Sequence, residues 1–176
     1  MKHRKKAQGF EVLATGEKFV YMINHFKAKS GKGSGDNADK GDGQGTYNGD
    51  RVREATAVVT FAKSCATYFG DEDVIVMGDL NAYSMEDPIR KFTDAGYTNL
   101  IKEFEGAEGY TYSYRGTVGC LDHALANEAI ESQVTGCEVF HINTDESTVF
   151  GYDGYSYQNN MYRSSDHDPV VVGLRL

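Results

Sequence analysis

Polar side chains of the same chemical kind lie at one end of four apolar segments of the sequence. The pairs are Asn24 and His25, Asp79 and Asn81, Asp122 and His123, and Asp166 and His167. Any one pair occurs readily by chance, but four in a chain of 176 residues favour a common site. Hydrolysis of a phosphodiester needs such a set, because carboxylates hold a hard cation and orient water while imidazoles stabilise phosphate oxygens or protonate the leaving group.

The central segment is Val74-Ile75-Val76-Met77-Gly78-Asp79-Leu80-Asn81. Its apolar, mostly β-branched residues predict a short buried strand, and Gly78 permits a close backbone approach. Alternation along an extended chain puts Asp79 and Asn81 on one side, where both can reach a cation or a phosphate oxygen. The alternative is an Asx-type turn, in which these residue types serve local hydrogen bonding.

Strands and helices alternate in the first half of the chain and would position these groups. The patterns predict strands at residues 10–14 and 19–25, a helix at 51–68, the central strand, and a helix that opens at 85–89 and closes at Gly96. The second half has a β-rich texture, with predicted strands at residues 110–114, 120–126, 134–142 and 169–174. His123 is expected to point away from Asp122, because neighbouring residues of a strand face opposite sides.

Two polar segments are predicted to be loops. Residues 30–49 are rich in Gly, Asp, Asn and Lys, so they form a surface loop. Their acidic residues do not match an EF-hand, which favours a mobile loop over a calcium site. Residues 143–163 are polar and rich in tyrosine, and they predict a second long loop.

Length and composition point to one domain. The chain has 18 basic and 26 acidic side chains and a net charge of −8, which argues against binding nucleic acid by bulk electrostatics. No segment approaches the roughly 18 apolar residues of a membrane span, and the basic start, residues 2–6, precedes no apolar signal region. Cys65, Cys120 and Cys137 lack metal-binding spacing; they predict buried thiols, or one disulfide and one free thiol.

At its polar strand ends the sequence resembles the endonuclease/exonuclease/phosphatase superfamily, whose members include deoxyribonuclease-I-like enzymes. Gly78-Asp79-Leu80-Asn81 is similar to the central motif, Ser165-Asp166-His167-Asp168-Pro169-Val170 to the C-terminal signature, and Leu121-Asp122-His123 to the intervening strand. Residues 24–29, 41–48 and 79–83 with 86–89 resemble the bacterial extracellular nucleases of the ExeM type. The resemblance covers nearly the whole chain.

The resemblance implies an α+β fold, the C-terminal portion of a four-layer αββα sandwich. Residues 1–176 would form a partial domain, because the Asn and the metal-binding Glu of the first half have no counterpart here. We therefore expect either a missing N-terminal half or a homodimer to cover an exposed sheet face.

The resemblance also implies roles for individual residues. Asp79 would orient or deprotonate the attacking water, Asn81 would bind the scissile phosphate or a metal-bound water, and His167 would stabilise or protonate at the phosphate. Asp122 would pair with His167 and raise its pKa, and His25 would be a second imidazole at the phosphate. The implied metal ligands are Asp166, Asp79 and Asn81, for Mg²⁺ or else Mn²⁺ or Ca²⁺. Candidate substrate contacts are Asn24, Asn48 and Arg51.

The expected function is divalent-metal-dependent hydrolysis of nucleic acid, most simply by a DNA endonuclease of low sequence specificity, with RNA as a further substrate class. One alternative is a lipid or inositol phosphodiesterase or phosphatase of the same superfamily, and another is a non-catalytic remnant that binds nucleic acid. We expect no membrane partner and, for the full-length relative, an extracellular or periplasmic location, although this chain shows no signal peptide. The chain alone is expected to be impaired, because half of the site would be missing.

Overall fold

A computed structural model describes residues 6–176. The basic start of the chain, residues 2–6, lies almost wholly outside this range. The central feature is a five-stranded sheet in the order β1-β2-β3-β7-β4. Its strands are β1 (Lys6–Glu11), β2 (Lys18–His25), β3 (Val74–Asp79), β4 (Tyr97–Asn99) and β7 (Asp122–Asn127). Two antiparallel two-stranded sheets complete the β-structure: the hairpin of β5 (Tyr112–Tyr114) and β6 (Thr117–Gly119), and the pair of β8 (Val134–Val139) and β9 (Val170–Leu174).

Strand β3 lies in the middle of the sheet and is paired on both sides. It runs parallel to β2, with His25 beside Asp79, and antiparallel to β7, with Asp79 beside Asp122. Its first three residues are buried, as expected for an apolar strand covered on both faces. This register brings the polar ends of β2 and β3 and the start of β7 to one edge of the sheet.

Two helices cover one face of the sheet. Helix α1 (Asn48–Phe69) and helix α2 (Asp87–Thr93) confirm both helical predictions. Ala55, Val58 and Ala62 of α1 are fully buried, at the spacing of one helix face, in the same apolar cluster as Val20 and Val76 of the sheet. Burial of this apolar surface is the main contribution that holds the helices on the sheet.

The opposite face is covered by helix α3 (Leu100–Glu105), by the one-turn helix α4 (Glu128–Glu131) and by the β8–β9 pair. Ile75 and Ala124 of the sheet, Leu100 of α3 and Ile130 of α4 are buried together there. The three cysteines are buried free thiols, so no disulfide is formed. Helices and sheet in separate layers give an α+β fold, as the sequence predicts.

Several elements differ from the sequence-based expectations. Strand β1 is Lys6–Glu11, not residues 10–14, because Glu11 pairs with Lys18 and the chain turns from Val12 onward. The strand predicted at 134–142 ends at Val139. Residues 143–163 form the predicted loop, interrupted by a short 3-10 turn at Thr148–Phe150. No helix within residues 6–176 is long and apolar enough to cross a membrane.

Several hydrogen bonds connect the loop at residues 30–49 to its surroundings, and its mobility stays a prediction. The Arg51 guanidinium donates to the carbonyls of Lys27, Gln44 and Thr46. Lys29 Nζ adds a hydrogen bond to the carbonyl of Gln44 at 2.9 Å. The calcium alternative gains no support, since two of the loop's acidic residues, Asp36 and Asp50, are ion-paired with Arg53.

Candidate active site

Gly78 allows the ends of β2 and β3 to approach closely. Its φ is +125°, and a Cβ at this position would lie 2.1 Å from the carbonyl oxygen of Asn24. Any other residue would therefore push the two strands apart. The close approach puts His25 next to Asp79 at the sheet edge.

Four side chains form a continuous line across this edge, which we call the His–Asp row: His25, Asp79, Asp122 and His167. His25 Nε2 lies 3.4 Å from Asp79 Oδ2, and His167 Nδ1 lies 2.7 Å from Asp122 Oδ2. One ligand atom from each of Asp79, Asp122 and His167 lies within 4.8 Å of the others. The structure thus brings together four residues that the sequence analysis placed in one site.

Asn81 is the fifth member of the group and is held by Asp79. Its backbone N–H donates to Asp79 Oδ1 at 2.8 Å, and its Nδ2 donates to Asp79 Oδ2 at 3.0 Å and to the Phe26 carbonyl at 3.1 Å. The first of these bonds is the Asx-type turn considered as an alternative. The turn and the site are compatible, because the same carboxylate both forms the turn and faces the row.

The Asp122 carboxylate fixes the orientation of the His167 ring. Because Nδ1 faces Asp122, the Nε2 atom is the one that can exchange a proton with a substrate. Burial lowers the pKa of His167, but the hydrogen bond and charge of Asp122, together with the charges of Asp79 and Asp166, outweigh burial and raise it above its ordinary value. The protonated imidazole is therefore favoured, as a general acid requires.

Asp79 and Asp122 place two carboxylates side by side. Burial raises the pKa of Asp79 above its ordinary value, and the charge of Asp122 raises it further; Asn81 and the imidazoles oppose this only in part. A divalent cation would relieve this repulsion, and carboxylate oxygens are the ligands that hard cations prefer. The carboxylates of Asp79 and Asp122 therefore fit a metal ion, with the His167 imidazole next to them.

The predicted ligand Asp166 is exposed and is not one of the three converging donors. Its charge still acts on His167 by raising the pKa of that imidazole. Asn81, the other predicted ligand, has its amide nitrogen bonded within the protein.

The three predicted substrate contacts lie away from the row. Asn24 is 4% exposed and faces the helix-covered side of the sheet, opposite to His25. Asn48 Nδ2 donates to Asp87 Oδ2 at 2.9 Å. Arg51 is fully buried and holds the loop at residues 30–49. This geometry corrects the assignment of Arg51 as a substrate contact, because its guanidinium is bonded to backbone carbonyls.

Thr111 supports the row and was not identified from the sequence. Its buried Oγ1 accepts hydrogen bonds from the N–H groups of Leu121 and Asp122, each at 3.1 Å, and its carbonyl accepts one from the N–H of Asp168 at 2.8 Å. Thr111 thus connects the strand that carries Asp122 with the loop that carries His167. Its position between two tyrosines in an alternating strand pattern was the available signal.

Asp168 anchors the segment that follows His167. Its Oδ1 accepts from the N–H groups of Asn143 and Thr144, each at 2.9 Å, and its Oδ2 is bonded to His141 Nδ1 at 2.8 Å. Burial raises the pKa of Asp168, but these hydrogen bonds outweigh burial, so its pKa lies below the ordinary value. The second Asp of the Asp-His-Asp-Pro motif therefore has a structural role.

His123 takes no part in the row, as expected. It is fully buried, with Nε2 at 2.8 Å from the Ala82 carbonyl and Nδ1 at 3.1 Å from Asn99 Nδ2. Burial lowers its pKa. The neutral ring therefore helps to hold the turn that follows Asn81.

Structures of known proteins share this fold. A mannosyl-6-phosphatase of Bacteroides thetaiotaomicron VPI-5482 matches with a TM-score of 0.66 at 18% identity, over 99% of this chain and 57% of its own. The 3′ phosphatase NExo from Neisseria, bound to a product DNA hairpin, matches with a TM-score of 0.58 at 16% identity, over 90% of this chain and 62% of its own. The β toxin of Staphylococcus aureus matches with a TM-score of 0.60 at 16% identity, over 92% of this chain and 54% of its own.

The chain spans between 54% and 62% of the length of these structures. No curated protein is significantly similar to it in sequence. The model of the Endonuclease/Exonuclease/phosphatase family matches residues 10–167, a range that contains the whole His–Asp row. By that match and by its fold, the chain belongs to the endonuclease/exonuclease/phosphatase family of hydrolases.

Proposed function

We propose that this protein hydrolyses phosphodiester bonds in nucleic acid with a divalent metal ion, as a DNA endonuclease of low sequence specificity. The observation that carries the proposal is the His–Asp row, in which a paired imidazole lies beside two adjacent carboxylates. Hydrolysis of a phosphodiester requires both an activated water and a proton for the leaving oxygen. The row contains a group for each task.

In this mechanism Asp79 orients the attacking water and accepts its proton. His167, with Nδ1 bonded to Asp122, donates a proton from Nε2 to the leaving oxygen. Asn81 contacts the scissile phosphate, and His25, whose side chain is 70% exposed, contacts a phosphate oxygen from the other end of the row. Asp122 keeps the His167 imidazole in the correct tautomer and favours its protonated form.

Asp79 and Asp122 are the residues that would hold the metal ion, while the protonated His167 faces the phosphate instead. When bound, a divalent cation such as Mg²⁺ neutralises phosphate charge and lowers the pKa of bound water. A cation is needed for a further reason. The chain carries a net charge of −8, so a polyanion would otherwise be repelled from two carboxylates.

Two neighbours bear on the substrate. NExo is a 3′ phosphatase bound to a product DNA hairpin, which favours nucleic acid. The mannosyl-6-phosphatase supports a second candidate, hydrolysis of a phosphomonoester, since the same row can protonate either kind of leaving oxygen. The extracellular or periplasmic location remains a prediction.

The proposal can be tested with supercoiled plasmid DNA and Mg²⁺, using the chain together with a first-half polypeptide from a full-length relative. We expect nicked and then linear products, no reaction with chelator, and losses of about 100-fold or more for His167→Ala and Asp79→Ala. Asp94→Ala is the control, because Asp94 is an exposed carboxylate at the end of α2 and lies outside the row. Release of phosphate from 3′-phosphorylated oligonucleotides or from mannose 6-phosphate, without nicking, would instead support the phosphatase.

We also propose that residues 1–176 supply only part of the catalytic domain. The chain spans 57% of the mannosyl-6-phosphatase structure, and large apolar side chains of its strands, Phe10, Ile23 and Val171, are 46–57% exposed. A first-half polypeptide from a full-length relative should bind the chain and raise its nuclease activity. Strong activity of the monomer alone would refute this proposal, and a stable active homodimer would identify the second copy as the covering partner.

A further inference from the structure

A cavity of about 370 Å³ lies directly beside the His–Asp row. Asn81 and His167 contribute to its lining, which connects it to the reacting phosphate of the proposed function. Its volume falls within the range of about 300–1,000 Å³ that small-molecule sites commonly have. The remaining lining is dominated by Tyr83, Tyr112 and Tyr114, with Lys29 and Ser30 on the loop side.

The three tyrosine rings are held in place by the hairpin of β5 and β6. The Tyr112 ring lies 4.5 Å from the His167 ring, and residues 112 and 167 also form a backbone bridge. Tyr112 and Tyr114 stack with centroids 6.4 Å apart and planes 16° from parallel. The hairpin therefore presents flat aromatic faces next to the catalytic imidazole.

Tyr83 forms another wall and depends on a glycine. A Cβ at Gly119 would lie 2.5 Å from the Tyr83 ring, so only glycine lets this ring pack directly on β6. Tyr83 is 37% exposed and Tyr114 is 52% exposed. Both rings thus keep accessible surface for a ligand.

Two cations lie near the tyrosine rings of the cavity: Lys29 Nζ is 5.3 Å from the Tyr83 centroid, and the exposed Arg115 guanidinium is 5.2 Å from the Tyr114 centroid. Lys29 Nζ is bonded to both oxygens of Glu86, at 2.6 and 2.5 Å, so its charge is balanced within the protein. Tyrosine hydroxyls are neutral near pH 7, because their ordinary pKa is about 10. The tyrosine walls suit an uncharged, planar ring with polar edges, whereas an acyl chain would meet several hydroxyls.

We propose that this cavity binds the nucleobase that adjoins the scissile phosphate, stacked on Tyr114 and Tyr83 while the phosphate lies at Asn81 and His167. The inference rests on the proposed function and deepens it, because it names a nucleoside as the group that the site recognises next to the phosphate. Stacking on aromatic side chains accepts every base. The cavity is therefore consistent with low sequence specificity.

Calorimetric titration tests the binding directly, with thymidine 5′-monophosphate, thymidine 3′-monophosphate, mannose 6-phosphate and inorganic phosphate as probes in the presence of Mg²⁺. We expect at least one nucleotide to bind about five- to 100-fold more tightly than mannose 6-phosphate or phosphate, as stacking of one base commonly provides. Equal affinity for all four probes, or a preference for mannose 6-phosphate, would overturn the proposal.

Variants at Tyr114 locate the binding. Tyr114→Ala should remove the preference for the nucleotide, whereas Tyr114→Phe should keep it, because stacking needs the ring and not the hydroxyl. Tyr83→Ala is the second test variant. Tyr68→Ala is the matched control, since Tyr68 is 83% exposed and lies near the end of α1. A preference that survives both alanine substitutions in the cavity would place the base elsewhere.

A kinetic comparison separates this inference from the proposed activity. Thymidine 5′-(p-nitrophenyl phosphate) and methyl p-nitrophenyl phosphate share a leaving group and differ in the nucleoside. If both esters are hydrolysed with equal kcat/KM, the result supports the phosphodiesterase activity and refutes the nucleobase cavity. If neither ester is hydrolysed but nucleotide binding still depends on Tyr114, the result supports the nucleobase cavity and refutes the proposed hydrolysis.

Discussion

Replacing Asp122 by asparagine isolates the contribution of its charge to the His–Asp row. The carboxylate lies 2.7 Å from His167 Nδ1, and the two side chains are only 16% and 22% exposed. The amide keeps the size of the carboxylate but not the charge that favours the imidazolium. Asp122→Asn should therefore preserve the fold and weaken proton donation by His167.

The expected loss of rate follows from this contact. A hydrogen bond to a charged partner contributes about 1.5–3 kcal/mol. Because about 1.4 kcal/mol changes a rate constant tenfold, kcat should fall by about 10- to 150-fold. The pH profile should change too. Asp122 raises the pKa of His167 against the effect of burial, so without that charge the protonated form is lost at lower pH, and the alkaline limb of the profile moves to lower pH.

The assay is the initial rate of phosphodiester hydrolysis between pH 5 and 10 at saturating Mg²⁺, together with the NMR titration of the His167 ring. Asp145→Asn is the control, because Asp145 is an exposed carboxylate whose partner is the Tyr110 hydroxyl. A variant with a rate within about threefold of the parent and an unmoved alkaline limb would refute the assignment of His167 as the acid that Asp122 activates.

Three further outcomes are expected. Chelation should abolish hydrolysis, and added Mg²⁺ should raise the melting temperature of the parent. The increase should be smaller in Asp79→Asn, since the cation relieves the repulsion at this carboxylate. An equal increase in the parent and the variant would contradict this assignment. His123→Ala should lower the free energy of unfolding by about 2–4 kcal/mol, because two buried partners lose their hydrogen bonds. The folded fraction should stay nearly as active as the parent. A loss of activity as large as that of His167→Ala would make His123 catalytic. Asp168→Ala should be less stable than the parent in urea at pH 7, and the difference should shrink as the pH is lowered. A carboxyl with a lowered pKa stabilises the fold above its unfolded pKa of about 3.9, and this contribution is lost as pH falls through the folded pKa. A pH-independent difference would exclude this explanation.

The row could be predicted because its parts are local to strand ends. Apolar segments such as Val74–Asp79 have few other ways to fold, and the polar residues that end them must lie at a sheet edge. The register that puts Asp79 between His25 and Asp122 is a long-range property. The residue pattern alone does not determine such a register.

Asn24 and Arg51, two predicted substrate contacts, are buried by packing instead of facing the row. Alternation along β2 puts Asn24 on the side opposite to His25, so the two cannot both face the row. Arg51 lies at helical spacing from Ala55 and Val58, which are buried, so its own position predicts the core side of α1. In both cases the residue type suggested a substrate contact, but the periodicity indicated burial.

Other elements had no local signal. Strand β4 has only three residues, and it exists because it pairs with β7. Helix α3 follows it directly and is capped by Asn99, whose side chain accepts from the N–H of Lys102. Short elements of this kind gain their stability from the surrounding core, so the sequence pattern alone does not reveal them.

The two halves of the row differ in how they are held, and this difference has a consequence for function. Asp79 and Asp122 lie on paired strands of the central sheet. His167 lies on a loop fixed by the backbone bridge to Tyr112, by the bond from Asn143 Nδ2 to its carbonyl, and by the buried side chain of Asp168. A substitution that loosens the loop should therefore displace the imidazole while the carboxylates stay in place, so proton donation should be lost before cation binding.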